Sequence, residues 1–446
     1  MKQIALIGLG WHARRIYVPW LRATTTHNWT IGVDLHAEAS SIRRALGSGP
    51  LPELLFSPTQ PDEPVSPAVL ARLEALQKQG KLDTLLLSTD PLGRHSWPEW
   101  GLARGLDILV DKPLTAPSLA SGPAAVSAAI TDDFESIRKS SAASMGRLWI
   151  QAQRRFHQGY LHLHRLIQDT TAHTGVPLTH LDISHADGMW VMPNEWERDH
   201  HPYRHGWGKL LHSGYHFIDL ACWMLTADCA PSLGGPRALR HQVSAVSAAA
   251  HHHRMAQQQL IDTPTRPPPP AHYGEVDVSL LGQLVDGTVP RTTVSLQLLQ
   301  SSLSRRSSAA PPTDPYKGAG RVRHERLTAQ VGPFLSVQVH SYQARELHES
   351  DARPYGPGHL DHFDVHIYRS PLLEGPAFER IEFGRRTGSS NLGHNEQARI
   401  RLLEAFLSGA PHGSSLEEHT QTNALLASVY ASLGTGEPGR IPLPEE

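Results

Sequence analysis

The chain has 446 residues, which exceeds what one hydrophobic core usually organises, so we expect two domains. Hydrophobic residues make up 39% of the sequence and charged residues 19%, with a formal net charge of −2 at pH 7. This balance is typical of a globular protein and gives no indication of a nucleic-acid or membrane partner. The first residues do not form a signal-peptide pattern, and two cysteines, Cys222 and Cys229, do not make a disulfide framework, so we expect a cytoplasmic protein.

The first third of the sequence alternates short apolar runs with helical patterns. We predict strands at 4–7, 29–34, 84–89, 106–110 and 148–156, and helices at 40–46, 69–81, 97–105 and within 116–145. A helix that starts at Ala13 should end or kink before Pro19, and the Pro-rich stretch 50–66 is typical of a loop. Strands that alternate with helices predict a parallel sheet, and we assign residues 1–155 to an α/β Rossmann domain.

The pattern changes after residue 156. The stretches 174–187, 274–300 and 325–343 alternate apolar and polar residues, which predicts a large, mostly antiparallel open sheet. Helices are predicted at 158–168, 395–409 and 417–436. Together they form a predicted α+β substrate-binding and oligomerisation domain over residues 156–446, in which the Pro- and Ser-rich stretches 226–273 and 301–320 are interpreted as loop insertions.

The first predicted strand leads into a G-x-G-x-x-A pattern at Gly8, Gly10 and Ala13. Gly8 allows a tight turn, Gly10 leaves bare backbone for a diphosphate, and Ala13 lets the helix pack closely on the strand. The helix N-terminus offers N–H groups and partial positive charge to phosphate. Asp34 ends the next strand, 24 residues beyond Gly10, where an acid accepts ribose hydroxyls and repels a 2′-phosphate. The pattern predicts NAD as the cofactor. NADP is the alternative, because Arg43 or Arg44 near Asp34 would favour a 2′-phosphate.

Four segments in order carry a resemblance to a known family. They are the turn from Gly8 to Ala13, the Ser-Thr-Asp-Pro run at 88–91 followed by His95, the Asp-Lys-Pro run at 111–113, and the stretch 209–220 that contains His216 and Asp219. In these segments the chain resembles the glucose-fructose oxidoreductase, inositol dehydrogenase and rhizopine catabolism family, abbreviated Gfo/Idh/MocA. The likeness covers most of the chain apart from the two predicted insertions.

The resemblance implies a six-stranded Rossmann domain and a second domain whose open sheet packs against another subunit, in a homodimer or homotetramer. The active site would lie between the domains. The substrate would be a polyhydroxylated small molecule, such as a sugar, sugar derivative or cyclitol, that reacts at a secondary alcohol. The residues expected to contact the cofactor are Gly8, Gly10, Trp11, His12, Ala13, Asp34, Ser88, Thr89, Pro91, His95, Asp111 and Lys112.

Alcohol oxidation with NAD needs a positioned group that accepts the hydroxyl proton. Lys112 follows an apolar predicted strand and precedes a proline, and partial burial beside a cationic nicotinamide would favour its neutral form. His216 is the second candidate for proton transfer, through the family motif. At His212 the family usually has an aspartate, and an imidazole relays a proton near neutral pH but supplies no fixed negative charge.

Further polar and aromatic groups are candidate substrate contacts. They are Arg155, Trp190, Tyr203, Lys209 and His212. Two of these are basic, and together with His212 they would attract an anionic substrate. A metal site is an alternative for the histidines at 200, 201, 205 and 212, but their spacing matches no closed zinc pattern and no metal is predicted.

Three functions are compatible with these residues. The prediction is an NAD(P)-dependent oxidoreductase that transfers hydride to or from a secondary alcohol or ketone. An alternative is a lyase, hydrolase or epimerase that uses NAD through transient oxidation and releases no net NADH. A non-catalytic nucleotide-binding sensor is the other alternative, because His212 stands where the family has an acid.

Overall fold

A computed structural model describes residues 1–47, 49, 51–57, 64–91, 96–117, 122–187, 206–232, 234–247, 249–250, 253, 257, 274–301, 322–344, 361–383 and 393–443. The chain divides into two compact units. Unit 1 comprises Met1–Pro117, Ala129–Phe156 and Glu396–Thr420, and unit 2 comprises Ser118–Ala128, His157–Asn395 and Gln421–Glu446. Within the described ranges, no helix has the length and apolar character that crossing a membrane requires.

Unit 1 contains a sheet of six parallel strands in the order β3-β2-β1-β4-β5-β6, so the predicted Rossmann architecture is confirmed. The strands are β1 (Gln3–Ile7), β2 (Asn28–Leu35), β3 (Glu53–Ser57), β4 (Thr84–Leu87), β5 (Asp107–Asp111) and β6 (Leu148–Gln151). The helices between them in the chain are α1 (Trp11–Ala23), α2 (Ala39–Leu46), α3 (Pro67–Lys78), α4 (Ser96–Leu102) and α5 (Pro123–Ala142).

Two local predictions in unit 1 were wrong, and of the two outcomes predicted at Pro19 the structure excludes a helix end. Strand β3 lies in the stretch predicted as a loop, because its short apolar run pairs with β2 as an edge strand despite the prolines around it. Helix α1 continues through Pro19 to Ala23, since Ile16, Val18 and Leu21 are buried in the core and hold its second half in place. The predicted strand 148–156 ends at residue 151, and a 3-10 turn over 153–156 follows it.

Unit 2 contains a nine-stranded sheet in the order β14-β13-β12-β11-β7-β10-β9-β8-β15. The strands are β7 (His180–Ala186), β8 (Arg237–Ser247), β9 (Glu275–Asp286), β10 (Val289–Leu299), β11 (Val322–Val331), β12 (Leu335–Ala344), β13 (Asp361–Arg369), β14 (Phe378–Glu382) and β15 (Gly439–Pro442). Only β7 and β10 pair in parallel among these neighbours, so the predicted mostly antiparallel sheet is confirmed. The helices in this half of the chain are α6 (Gln158–Thr174), α7 (Tyr215–Leu225), α8 (His394–Leu407) and α9 (Thr420–Thr435).

Strand β8 lies within the stretch 226–273 that was interpreted as a loop insertion. It pairs with β9 along its length, and its Ala- and Ser-rich second half is largely exposed, which hides the alternation expected of a strand. The later part of that stretch, 258–273, and almost all of the second predicted insertion lie outside the described residues. Strands β13, β14 and β15 were not predicted.

The register of the second sheet separates a buried face from a polar one. Leu296, Ile183, Leu327, Val339 and Val365 are neighbours across five strands, and each is at most 1% exposed. The adjacent row of paired residues lies on the opposite face of the sheet, and its side chains are half-buried. It consists of Ser295, Asp182, Thr328, Gln338 and His366. The sheet therefore presents one apolar face to the core and one polar face away from it.

The core of unit 1 combines residues from both ends of the chain. Helix α8 contributes Leu402, Leu403 and Phe406, all fully buried, to a cluster that also contains residues of β1, α1 and β6. In this cluster the ring of Phe406 packs against the ring of Trp149, with 5.9 Å between the ring centroids. The helix near the end of the sequence is thus part of the hydrophobic core around the first strand.

Candidate active site

The carboxyl end of β1 leads through the glycine turn into α1. Gly8 has a φ of +88°, and a Cβ added there would lie 2.5 Å from the carbonyl oxygen of Ser88. Gly10 is the N-cap of α1, and a Cβ added there would meet nothing within 4 Å. Within the described chain, the first turn of α1 has no acidic residue and no side-chain cap. The open backbone and the N–H groups of this helix end therefore fit the diphosphate of a dinucleotide.

Asp34 lies at the carboxyl end of β2, against the glycine turn. Its Oδ2 accepts the N–H of Leu9 at 2.5 Å, and its Oδ1 accepts the N–H of Leu35 at 2.7 Å. Burial raises the pKa of this carboxyl above its ordinary value, against the lowering effect of the two backbone donors. The contact with Leu9 fixes the carboxylate beside the turn, which is where the predicted ribose contact needs it.

Asp111, at the end of β5, brings several predicted cofactor residues together. Tyr17 donates its hydroxyl to Oδ1 at 2.7 Å, and Ser88 donates to Oδ2 at 2.6 Å. His12 lies close by, with its Nε2 3.7 Å from the same Oδ2. The next residue is Lys112, half-buried and joined to Pro113 by a cis peptide. The carboxyl ends of β4 and β5 and the start of α1 thus form one polar corner.

The remaining predicted cofactor residues lie around this corner. Ala13, in the first turn of α1, is fully buried, whereas Trp11, the first residue of that helix, is 44% exposed. Thr89 and Pro91 follow β4 and are half-buried. His95 lies outside the described residues.

The sequence interpretation missed two residues of α8 that reach this corner. Arg399 donates from Nη1 to Nε2 of His12 at 2.6 Å, and Glu396 forms an ion pair with Arg15 of α1. Burial, followed by the charge of Arg399, lowers the pKa of His12 to about 3, so this imidazole is neutral. His12 and Arg399 are 387 positions apart, and no spacing rule connects them.

Arg155 was predicted as a substrate contact and lies in unit 1. It belongs to the 3-10 turn Gln153–Phe156 and is only 4% exposed. Its guanidinium donates to the carbonyl oxygen of Glu418 at 2.9 Å. A role in substrate binding stays a prediction.

In unit 2, the predicted substrate residue Lys209 is completely buried in a charged network. Its Nζ lies 2.9 Å from Nδ1 of His185 and 3.4 Å from Oδ2 of Asp187. Asp187 also accepts from Ser213 at 2.9 Å and from Nε of Arg323 at 3.1 Å. Two cations therefore face one buried carboxylate, and charge pairing offsets part of the cost of burying it. Lys209 thus contacts these protein groups, and a contact with substrate stays a prediction.

The motif that contains both candidate histidines begins with a π-helical turn. The turn spans Leu210–Gly214, includes His212, and continues directly into α7. His212 is half-buried, whereas His216, in the first turn of α7, is only 6% exposed. Asp219, on the same helix, accepts a hydrogen bond from Thr422 at 2.9 Å. A π-helical turn is a rare feature and is frequent at functional sites.

Glu275 holds the start of the π-helical turn and was not singled out in the sequence. Its Oε1 accepts the N–H of Leu210 at 2.7 Å and lies 3.4 Å from the hydroxyl of Tyr430, which donates to it. Burial raises the pKa of Glu275 to about 7, although these hydrogen bonds lower it. The backbone of Gly208 packs against the Gly274–Glu275 backbone so closely that a Cβ at Gly208 would lie 2.2 Å from the nitrogen of Glu275.

Several predicted residues fall outside the described part of the chain. They are Trp190, Tyr203 and three histidines of the alternative metal site, His200, His201 and His205. In the ranges that the structure does describe, no group of three or more His, Cys, Asp or Glu side chains is arranged to hold a metal ion.

The sequence has no significant match among protein-family models or curated proteins. The structure is similar to an oxidoreductase from Agrobacterium radiobacter, solved with NAD+, L-tartaric acid and magnesium, at 13% identity and a TM-score of 0.58, over 98% of this chain and 97% of that one. It is also similar to the WlbA dehydrogenase from Bordetella pertussis, solved with NADH and UDP-GlcNAcA, at 14% identity and a TM-score of 0.55, over 100% of both chains.

A third similar structure is the aldose-aldose oxidoreductase from Caulobacter crescentus, solved with glycerol. The identity is 12% and the TM-score 0.58, over 99% of this chain and 100% of that one. At such identities the likeness establishes the fold. It agrees with the fold that the sequence resemblance implied, a six-stranded parallel sheet and a second, open sheet.

Proposed function

We propose that the protein is an NAD-dependent oxidoreductase that transfers hydride to or from a secondary alcohol or ketone of a sugar, sugar derivative or cyclitol. One observation carries the proposal: the open backbone of Gly10 at the start of α1, with Asp34 hydrogen-bonded to the same turn. The likeness to oxidoreductases solved with NAD+ or NADH supports it.

The residues that would hold the coenzyme lie at the carboxyl ends of the strands of unit 1. The N–H groups at the start of α1, next to Gly10, would bind the diphosphate. Asp34 would accept the ribose hydroxyls and repel the 2′-phosphate of NADP. Ser88 and Asp111 would line the side of the pocket next to Lys112. When bound, the coenzyme supplies a hydride acceptor or donor.

The chain itself must move the hydroxyl proton. We assign this role to Lys112, whose neutral amine would accept the proton during oxidation and return it during reduction. His216 would be the second proton-transfer group, at the start of α7. Lys209 and Asp187 would act on the substrate side by fixing the π-helical turn that contains His212.

Binding and turnover experiments test separate parts of this proposal. Titration with NAD and NADP, followed by tryptophan fluorescence or calorimetry, should show binding with a preference for NAD. Asp34→Ala should reduce that preference. A screen of sugars, inositols and nucleotide sugars at the NADH absorbance band should then identify a substrate. Absence of binding for both coenzymes at millimolar concentration would contradict the proposal.

Lys112→Ala tests the assignment of proton transfer. We expect turnover to fall by about two orders of magnitude or more, because general acid–base groups contribute that much. The dissociation constant for NAD should change less than about threefold, since the diphosphate and ribose contacts remain. Unchanged turnover would show that another group moves the proton.

His212 motivates a second candidate function, because it occupies the place where the resembled family has an acid. The site could then use NAD through transient oxidation, as an epimerase, lyase or hydrolase would, with no net NADH. His212→Asp distinguishes the two. A gain of ordinary dehydrogenase activity in this variant would favour the second candidate, and a loss of NADH formation would favour the first.

We also propose that the protein forms a homodimer or homotetramer through the second sheet. The polar face that contains Ser295, Asp182, Thr328, Gln338 and His366 supports this, because a large sheet face of this kind suits an interface with another subunit. Light scattering coupled to gel filtration measures the mass. A monomer at micromolar concentration would contradict this part of the proposal.

A further inference from the structure

We infer that Arg399 is a coenzyme-binding residue whose guanidinium, held beside the start of α1 by His12, binds the diphosphate of the dinucleotide. The inference rests on the proposed function, because it presupposes that the glycine turn binds a dinucleotide. It adds to the predicted cofactor contacts a residue from α8, near the other end of the sequence.

The position of Arg399 is fixed from two sides. Its Nη1 donates to Nε2 of His12, the second residue of α1, at 2.6 Å. Its carbonyl oxygen accepts from Nε2 of Gln151, on β6, at 3.4 Å. The guanidinium therefore lies next to the helix end at which Gly10 leaves open space.

The charge of Arg399 is not neutralised by its hydrogen-bond partner. His12 is an uncharged acceptor, since its pKa is lowered to about 3. Arg15, on the same face of α1, forms an ion pair with Glu396, whereas among the described residues no carboxylate lies within 4 Å of the Arg399 guanidinium. Arg399 is half-buried, and a partly buried cation is stabilised by an anionic partner.

A diphosphate is the anion that matches this arrangement. A guanidinium presents five N–H donors in a planar fork that binds two phosphate oxygens at once. The start of α1 adds backbone N–H groups and the positive end of the helix dipole. Both contributions act at one end of the helix, so an anion bound there would contact the backbone and Arg399 together.

The test is the affinity of the full chain for NAD and for ADP-ribose, which retains the diphosphate and lacks the nicotinamide. Arg399→Met keeps the aliphatic stem and removes the charge, and we expect it to weaken both ligands equally, by roughly ten- to a hundredfold. Arg399→Lys should lose less, because it keeps a point charge. Arg401→Met, on the same helix, is the matched control and should leave both affinities within about twofold.

Each outcome separates the inference from the proposed function. If the unaltered protein binds neither NAD nor ADP-ribose, the proposed function fails. If it binds both and Arg399→Met does so equally well, only the inference fails. A loss confined to NAD would place Arg399 at the nicotinamide end and overturn the diphosphate assignment. A thermal melt of each variant checks folding. If Arg399→Met does not fold, the affinity of Arg399→Lys for ADP-ribose at low and high salt is the test. A weaker affinity that still depends on salt supports the inference, and an unchanged affinity overturns it.

Discussion

Gly8 and Gly10 are two residues apart and are constrained in different ways. Gly8 has a φ of +88°, and a Cβ added there would lie less than 3 Å from backbone atoms of Ser88 and Thr89. Gly10 has an ordinary φ of −62°, and a Cβ added there would meet nothing within 4 Å. We expect Gly8→Ala to reduce the free energy of unfolding by roughly 2–4 kcal/mol, from backbone strain and the clash together. Gly10→Ala should fold normally and weaken NAD at least about tenfold, because its methyl group would occupy the diphosphate space. Denaturant unfolding and NAD titration measure the two effects.

Gly47 provides the control for this comparison. It has a φ of +70°, but a Cβ there would meet nothing within 4 Å. Gly47→Ala should therefore show the cost of a positive-φ backbone conformation alone, about 1–3 kcal/mol, with normal NAD affinity. If Gly10→Ala bound NAD as tightly as the unaltered chain, the coenzyme would not approach this turn.

Glu275 should make stability depend on pH near neutrality. Because its folded-state pKa is raised to about 7, the folded protein favours the protonated carboxyl, and this contribution is complete below the ordinary pKa of a glutamate. It is lost as the pH rises through about 7, by at most roughly 3 kcal/mol. Glu275→Gln keeps an oxygen that can accept from Leu210 and removes the titration.

We therefore expect Glu275→Gln to be more stable than the unaltered protein at pH 8 and not at pH 4.5, as measured by urea unfolding at both pH values. Glu53→Gln is the control, since Glu53 is exposed, pairs with Arg72 and has a lowered pKa. That variant should not gain stability at pH 8. A pH-independent difference between Glu275→Gln and the unaltered chain would contradict the argument.

At the level of elements, the π-helical turn is held by side chains from neighbouring segments. Asp187 follows β7 and binds both Lys209 and Ser213. Asp187→Asn should cost roughly 3 kcal/mol, because it removes the negative charge that lies 3.4 Å from the fully buried Lys209 cation. Lys209→Met should cost less, since Arg323 still pairs with Asp187. In a double-mutant cycle followed by chemical unfolding, the double variant should recover most of the loss.

A purely additive cycle would contradict this coupling. Ser213→Ala offers a control of similar position, because it removes a hydrogen bond to the Asp187 carboxylate but no charge, and it should cost about 1.5 kcal/mol.

Elements with a clear period were predictable from the sequence, and elements with mixed environments were not. Strands β7, β9, β10, β11 and β12 alternate buried and polar residues, which is the period-2 signal of a sheet with one buried face. Strand β3 is a short edge strand between prolines, and β8 loses its alternation where it is exposed. Helix α1 passes Pro19 because tertiary packing outweighs the missing hydrogen bond.

For the whole molecule, what the sequence could predict depended on how local each feature is. The glycine turn and Asp34 lie within one β-α-β segment, so their spacing is visible in the sequence. The contacts of Arg399 and Glu396 with α1 depend on how the chain returns to its first helix, and no local pattern encodes that. The same holds for Glu275 and Leu210, which meet across 65 positions.

The return of α8 to the first sheet gives a test of how unit 1 is stabilised. Phe406 is fully buried and packs on Trp149, while the Arg147 guanidinium lies 5.2 Å above its ring. Phe406→Ala should therefore reduce the free energy of unfolding by roughly 3–5 kcal/mol, through lost burial and the cavity that remains. Leu372→Ala is the control, since Leu372 is 76% exposed, and it should change stability by less than about 0.5 kcal/mol. Urea unfolding followed by tryptophan fluorescence measures both, and a loss below about 1 kcal/mol in Phe406→Ala would show that unit 1 does not depend on α8 for its core.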